Sequence, residues 1–512
     1  MSDKLLHGKS GIKGIVGIEC NGDTTELFVQ DSDGNVTSVK KPHKYWLLSD
    51  TDPGKKWSRL KGDLHYKWGY QTPDYKDLQL KRSVLKHSHE LYSVYNPEEA
   101  CMMKDGYTFY RDLQPKDISL LSFDIETTGL DGNAPDAKIL CISTTYRGKD
   151  RTFNHLFRYD EHDSEAEMLK WFFDHIREFN PTLLIGHNIL SYDFPYIAAR
   201  CKTLKVPFVI GRNDSEVKFN EYTSKFRIDG TRTQEYHQVS VYGREIVDTY
   251  FLASSFDVSK SIESYALKPM IKALGLEKEG RQYYDAGSIR ENYLIPEEWD
   301  KICQYALDDA EDPVKLWDMM GPAKFYWCQK VPKPFTELLL SATGSQINSM
   351  LVRSYLQEGH SIPKADEAQK YQGAISLGVP GVFTNCIRWD VASLYPSIIL
   401  EYDVYDVDKD PNANFLNIVG SLTKTRLEHK KLAKETGSKY YNDLQESEKI
   451  GINSAYGFLG ASGLNFNCPE AAEFITTKGR EILLKGILWA TGMKDEEVMH
   501  LCNNQSIEVD DA

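Results

Sequence analysis

Residues 118–125 form a nearly unbroken apolar run that carries Asp124, and Glu126 follows immediately after it. An apolar run of this length reads as a buried strand, and Asp124 and Glu126, two residues apart on it, leave the same face. They stand at the mouth of a core, where an acidic turn after a strand is the bland alternative. From this strand to about residue 322, strand-like and helical stretches alternate, which suggests an α/β domain.

At 512 residues the chain is too long for one ordinary core, so several domains are expected. The formal net charge of -14 argues against indiscriminate adhesion to nucleic acid, though not against a local basic groove. Nine cysteines are scattered with no close pair, a spacing that gives no zinc site and suits a reducing cytosol better than a disulfide scaffold. Met1-Ser2-Asp3-Lys4 leads into no apolar signal core, and no stretch is long and apolar enough to span a membrane, so a soluble intracellular protein is expected.

Residues 1–115 read as β-rich, with turn signals at Asn21-Gly22 and Asp33-Gly34. Asp31, Asp33 and Asn35 faintly suggest a calcium loop, but Val36 stands where glycine is required, and a plain hairpin is preferred. Residues 324–363 look helical, with Gly359 and Pro363 as stops. A further region opens with a strand over residues 387–391, then carries helical stretches on either side of Gly437.

Three more acidic features join Asp124 and Glu126. Asp193 follows an apolar strand through Asn188-Ile189-Leu190-Ser191-Tyr192, where a helix cap is an equal reading. Tyr305 and Asp309 lie at i and i+4 of a helix, so they share a face. Asp308 points elsewhere and is expected to be solvated; Pro313 clashes with the Asp309 carbonyl, so a kink or break is expected there. Asp390 ends the 387–391 strand region before the turn Ser393-Leu394-Tyr395-Pro396-Ser397. A carboxylate and exposed backbone N–H groups at such a turn suit a metal-bound triphosphate. Lys449, Asn453 and Tyr456 share one helix face, followed by Gly457. Arg426, Lys430 and Lys434 form a basic stripe upstream, for which a solvated face is the alternative. Clustered carboxylates are the ligands that hard divalent cations want, and phosphodiester hydrolysis uses two such ions about 3.5–4 Å apart.

In this order the motifs resemble those of family B DNA polymerases. Asp-Ile-Glu, Asn-x-x-x-Tyr-Asp and Tyr-x-x-x-Asp resemble the three exonuclease motifs, with Tyr192 where the family more often has Phe. The resemblance implies a DEDDy proofreading site of Asp124, Glu126, Asp193 and Asp309, with Tyr305 positioning water. Asp390 and the Ser-Leu-Tyr-Pro-Ser turn resemble motif A, and Lys-x-x-x-Asn-Ser-x-Tyr-Gly resembles motif B. Asp390 is then a metal ligand. Ser393, Leu394, Tyr395 (the ribose gate), Arg426, Lys430, Lys449 and Asn453 hold the nucleotide. Asn188, Tyr371, Gly373, Tyr456 and Gly457 meet DNA, with Tyr371-Gln372-Gly373-Ala374 resembling the Tyr-x-Gly-Gly/Ala segment. Mg2+ is implied, two per active site, with Mn2+ as a substitute.

The implied fold is multidomain α+β and α/β. A β-rich domain (1–115, completed by about 324–375) precedes an RNase H-like exonuclease domain (116–323). An incomplete palm (376–415 and 463–512) flanks short helical fingers (416–462), with no thumb. The segment between Asp390 and Lys449 has no room for the insertion of protein-primed members, so a nucleic-acid primer is expected. Intact members continue to a Tyr-Gly-Asp-Thr-Asp-Ser hairpin, whereas here Asp510 and Asp511 precede Ala512 and read as a solvated tail. A split enzyme and a truncated product both stay open. The expected partners are primer–template DNA, dNTPs, a second polymerase chain supplying the missing hairpin and thumb, and a sliding clamp reached through that chain; no membrane is involved. Cytoplasmic, nucleoid-associated replication is the implied setting. The rival readings are a stand-alone DEDDy exonuclease with a vestigial palm and a non-catalytic DNA-binding module.

Overall fold

Alternating strand-formers punctuated by Asn-Gly and Asp-Gly build the first layer. In this computed structural model, which describes residues 2–229, 231–258, 260–367, 369–375, 382, 384–386, 389–391, 393–494 and 496–497, helix α1 (Ser2–His7) precedes a meander of β1 (Ile15–Asn21), β2 (Thr24–Gln30) and β3 (Val36–Pro42). Asn21 pairs with Thr24 across the first turn, where Gly22 takes φ 59°, a left-handed value that suits glycine. Asp31 closes the second turn by accepting from the backbone N–H groups of Asp33 and Asn35 (both 2.9 Å), as a plain hairpin requires. A second sheet of order β5-β6-β4-β7 contains β4 (Tyr45–Ser49), β5 (Ser58–Arg59), β6 (Trp68–Thr72) and β7 (Leu91–Tyr92). Helix α2 (Tyr75–Leu85) flanks it. Helix α3 (Pro97–Asp105) is capped by Asn96, whose side chain accepts from Glu99 N–H, and ends at left-handed Gly106.

The next sheet has the order β10-β9-β8-β11-β14, with β8 (Leu120–Thr127) in its centre. β9 (Ile139–Arg147) and β10 (Thr152–Arg158) continue it antiparallel; α4 (Glu165–Phe179) carries the chain over to β11 (Leu183–Gly186), which runs parallel to β8. Helix α5 (Asp193–Leu204) and the hairpin of β12 (Lys218–Arg227) and β13 (Thr233–Ser240) precede the parallel edge strand β14 (Glu245–Asp248). Phe123 on β8 meets Phe194 on α5 edge to face at 5.4 Å, in a core shared with Phe172 of α4. Helices α6 (Thr249–Phe256), α7 (Leu267–Ala273) and α8 (Ile289–Asn292) lead to α9 (Pro296–Cys328).

Helix α9 runs 33 residues through both Pro313 and Pro322, so no break follows Asp309. Proline removes one intrahelical bond, but Val314, Leu316 and Trp317 are buried on the following turn and hold the helix against that loss. The same helix crosses the boundary expected near residue 323. Near its end the wholly buried Trp327 packs against Gly451 and donates from Nε1 to Gln346 Oε1 (2.6 Å).

After α10 (Phe335–Leu340), α11 (Thr343–Gln357) returns to the first layer. Its wholly buried Arg353 donates to the carbonyls of Leu5 and Leu6 (2.8 and 2.9 Å), and the chain then bridges Lys61 to His360 and Tyr66 to Ile362. Short α12 (Leu394–Glu401) precedes an antiparallel hairpin of α13 (Asn414–Thr436) and α14 (Lys439–Gly460), which turns at Gly437 (φ 66°), and α15 (Pro469–Thr491) follows. Buried Glu448 on α14 lies 2.9 Å from His429 Nδ1 on α13.

The expected 387–391 strand is not formed where it is described: Trp389, Asp390 and Val391 belong to no strand, and residues 387 and 388 lie outside the described set. A strand exists only through its ladder, and no described neighbour offers Asp390 one. Ala392, Asp510 and Asp511 are likewise outside the described residues. Among the described residues, no helix is long and apolar enough to cross a membrane.

Candidate active sites

β8 and β11 pair only as far as Ser122 and Ile185, and then β11 ends at Gly186. A Cβ on Gly186 would lie 2.9 Å from the Phe123 carbonyl, so glycine lets the two strands part closely. The crevice opens at the carboxyl ends of these parallel strands, where open α/β sheets bind their ligands. Asp124 and Glu126 enter it from β8. Asp193, on the first turn of α5, reaches back across the gap, and its Oδ1 accepts from Ile125 N–H at 3.2 Å. That bond takes the place of the ladder partner β11 no longer supplies, so Asp193 is turned toward β8 rather than capping its own helix.

From the other side, α9 brings Tyr305 and Asp309. Carboxylate oxygens of Asp124, Glu126 and Asp309 lie within 4.8 Å of one another. Burial holds the Asp124 carboxyl well above the usual range, and Glu126, Asp193 and Asp309 add repulsion. Burial and then Asp309 push Glu126 up to about 8. Asp193 rises to about 8 chiefly by burial, with Asp248 and Asp309 adding to it. Three buried carboxyls raised in this way, with the Asp309 carboxylate beside them, are a donor set suited to divalent cations. The Tyr305 hydroxyl, raised well above its ordinary value by burial and by these carboxylates, stays a phenol.

Several residues that sequence reasoning did not single out complete this site. Lys268 Nζ on α7 donates to Asp309 Oδ2 (2.5 Å) and to the Tyr305 hydroxyl, and stands 4.4 Å over the Tyr305 ring centre. Arg281, wholly buried, donates to Asp309 Oδ1 (2.5 Å) and Asp312 Oδ2 (2.8 Å). Asp248 accepts from the N–H groups of Asn188 (2.8 Å) and Leu190 (3.0 Å), which fixes the turn that carries Asn188 at φ 64°. Asp248 follows the apolar pair Ile246-Val247 at the end of β14, a signal that could have found it; Lys268 and Arg281 carry none. Asp308 is not solvated. It is wholly buried, 2.7 Å from Lys278 Nζ, and accepts from Gln282 N–H (2.7 Å), because residues 277–283 fold over α9. The Tyr192 hydroxyl meets Thr127 Oγ1 at 2.7 Å, a bond phenylalanine could not make.

The second group of residues assembles around α12 and the α13–α14 hairpin. Ser393 takes φ 55° at the head of α12, and its hydroxyl accepts from Arg426 on α13 (3.1 Å). The Tyr395 and Tyr456 rings lie 4.8 Å apart, and the Tyr371 hydroxyl is 3.4 Å from that of Tyr456. Arg480 on α15 donates to the carbonyls of Gln372 and Gly373 (2.6 Å each), fastening that segment to the same cluster. Leu394 is half-buried on α12. Lys449, Asn453 and Gly457 line a cavity of about 1730 Å3 that reaches Ser255 and Phe256 of α6. Lys449 pairs with Glu446 on its own helix (3.3 Å), Lys430 is exposed, and Asp390 is exposed.

Two family descriptions match the chain in this same order: "DNA polymerase family B, exonuclease domain" over residues 87–270 and "DNA polymerase family B" over residues 414–509. A DNA polymerase of Thermococcus sp. (strain 9oN-7) is 26% identical over 405 residues, covering 72% of this chain and 50% of the relative. The DNA polymerase delta catalytic subunit of Plasmodium falciparum is 28% identical over 436 residues, covering 72% and 39% respectively. The family B DNA polymerase of Pyrobaculum calidifontis superposes with a TM-score of 0.76 at 18% identity, covering 94% of this chain and 74% of that one, a likeness of fold. The chain thus spans about half the length of the archaeal relative. With both family descriptions falling on it in the order of the two residue clusters, the chain belongs to the family B DNA polymerases.

Proposed function

We propose that this chain is the exonuclease-bearing N-terminal portion of a family B DNA-directed DNA polymerase, able to hydrolyse single-stranded DNA from its 3′ end. The observation that carries the reading is the convergence of Asp124, Glu126 and Asp309, with Asp193 beside them and the Tyr305 phenol at the rim. Two Mg2+ ions held by these carboxylates would supply an activated water and stabilise the leaving oxygen. The chain's own residues do the rest. Lys268 holds the Tyr305 hydroxyl, which orients the water, while Arg281 keeps Asp309 facing the crevice. The test is degradation of a 5′-labelled oligonucleotide with Mg2+. Shortening from the 3′ end is expected, and it should vanish in Asp124→Ala/Glu126→Ala; equal rates in wild type and double variant would refute the assignment.

Template-directed dNTP addition is the second half of the proposal. Arg426 at the Ser393 turn and Lys449 with Asn453 on α14 form the triphosphate clamp, with Lys430 as an outlying cation; Tyr395 gates the ribose and Asp390 supplies one metal ligand. Asn188 holds the unpaired 3′ end at the exonuclease site, whereas Tyr371, Gly373, Tyr456 and Gly457 contact primer–template. The reading divides the chain into an N-terminal region (1–115 with 324–375), an exonuclease domain (116–323), palm segments (376–415 and 463–512) and fingers (416–462). One carboxylate does not fix two cations for in-line attack, so synthesis needs an aspartate hairpin and thumb beside Asp390; we propose a partner chain as their source, with any sliding clamp reached through it. In that complex Asp390→Ala should abolish synthesis and spare hydrolysis. Templated extension by the purified 512-residue chain alone would overturn the need for a partner. The exposed position of Asp390, with no ladder among the described residues, favours the second reading, a stand-alone exonuclease with a vestigial palm, which predicts no extension with any partner.

A further inference from the structure

Three residues far apart in the sequence meet in the N-terminal layer, away from both clusters described above. Cys20 is the penultimate residue of β1, His43 lies between β3 and β4, and Cys101 is on α3. Their ligand atoms lie within 4.8 Å of one another, with Cys20 Sγ 3.7 Å from His43 Nδ1. Asp105, one turn after Cys101 on the same helix, places Oδ2 3.4 Å from Cys101 Sγ. A tetrahedral zinc ion, with bonds of about 2.3 Å to sulfur and about 2.0–2.1 Å to nitrogen or oxygen, separates its ligands by about 3.5–3.8 Å. The Cys20–His43 separation of 3.7 Å falls in that range, and the Cys101–Asp105 separation of 3.4 Å lies just under it.

We propose that Cys20, His43 and Cys101 form a structural zinc site that ties β1 to α3, with the Asp105 carboxylate beside Cys101 turning in as the fourth ligand. His43 is 2% exposed; its Nδ1 bonds the Thr25 hydroxyl (2.9 Å) and lies 3.7 Å from the Cys20 thiol, while Nε2 has no partner among the described residues. Nδ1 thus faces the Cys20 thiol, as a metal-ligating imidazole nitrogen would. The Thr25 hydroxyl also touches Cys101 Sγ (3.3 Å) and Cys20 Sγ (3.7 Å), so one rotation about its χ1 releases all three donors together. The half-buried Glu98 carboxyl accepts from Cys20 N–H (3.0 Å), so a dication at the cluster would have an acidic group beside it. Thiolate and imidazole ligands with one carboxylate select Zn2+ over the Mg2+ that suits the all-carboxylate crevice.

Cobalt separates the two kinds of site, because only thiolate ligation gives a near-ultraviolet sulfur-to-cobalt charge-transfer band with tetrahedral visible absorption. The reduced full-length chain loaded with Co2+ should show that band at one equivalent, and Zn2+ should abolish it. Asp124→Ala/Glu126→Ala and Cys386→Ser should retain it; Cys20→Ser and Cys101→Ser should each lose it while circular dichroism stays unchanged. No thiolate band in the reduced wild-type chain overturns the proposal. So does a band that survives Cys20→Ser together with Cys101→Ser, or a Cys20–Cys101 disulfide in the chain as purified that yields no band after reduction.

Discussion

Replacing Lys268 with Met removes one ammonium while keeping the length and most of the packing of the side chain. In wild type that ammonium donates to both Asp309 Oδ2 and the Tyr305 hydroxyl. Hydrogen bonds to a charged group contribute about 1.5–3 kcal/mol each. A divalent cation at Asp309 takes over the neutralising role there, so the bond to Tyr305 is the one hydrolysis loses. At about 1.4 kcal/mol per factor of ten, the rate falls about 10- to 150-fold. The same ammonium also lowers the Asp124 and Glu126 carboxyls toward ionisation, so its removal raises both, and the rising limb of the pH profile moves to higher pH. The assay is single-turnover degradation of a labelled oligonucleotide at saturating Mg2+, with DNA affinity measured separately. A rate within a factor of two of wild type, or a loss accounted for by weaker DNA binding, would refute the positioning role.

Other outcomes follow from the same coordinates. Folding raises Glu126 from 4.5 and Asp193 from 3.8 to about 8 each, so between about pH 4 and pH 8 the folded chain keeps protons the unfolded chain releases. The stability of the metal-free chain should therefore fall as pH rises through that window. Mg2+ should restore it most at the upper end, read as a widening gap between melting temperatures with Mg2+ and with EDTA. Lys449→Ala in the completed polymerase should raise the dNTP requirement about tenfold with little change in DNA binding, as measured by primer-extension kinetics. Gly451→Ala puts a methyl 2.5 Å from the rigid Trp327 ring and should cost about 1–3 kcal/mol, read by denaturant unfolding against Gly457→Ala, whose Cβ meets nothing within 4 Å.

The geometry of the carboxylate cluster was legible from spacing alone wherever it is local. Asp124 and Glu126 share a face because strands have a period of two, and Tyr305 and Asp309 share one because helices return after four residues. Turn chemistry was legible for the same reason, at Asn21-Gly22 and at Gly437. What tertiary structure decided is whatever depends on partners distant in sequence. Asp193 was ambiguous until the parting of β8 and β11 left Ile125 N–H for it to bond. Asp308, read as solvated from its helix face, is buried because a loop some 30 residues earlier covers it with Lys278. Pro313 spoke for a break that packing on the next turn prevents, and the strand expected before Asp390 has no ladder among the described residues. Scattered cysteines gave no zinc spacing along the chain, yet Cys20, His43 and Cys101 converge once β1, β3 and α3 pack. Sequence determines periodicity and residue type within a few positions, because only there do backbone dihedrals dictate where side chains meet. Convergence across tens or hundreds of residues is determined by the burial of the whole core, which no local pattern encodes.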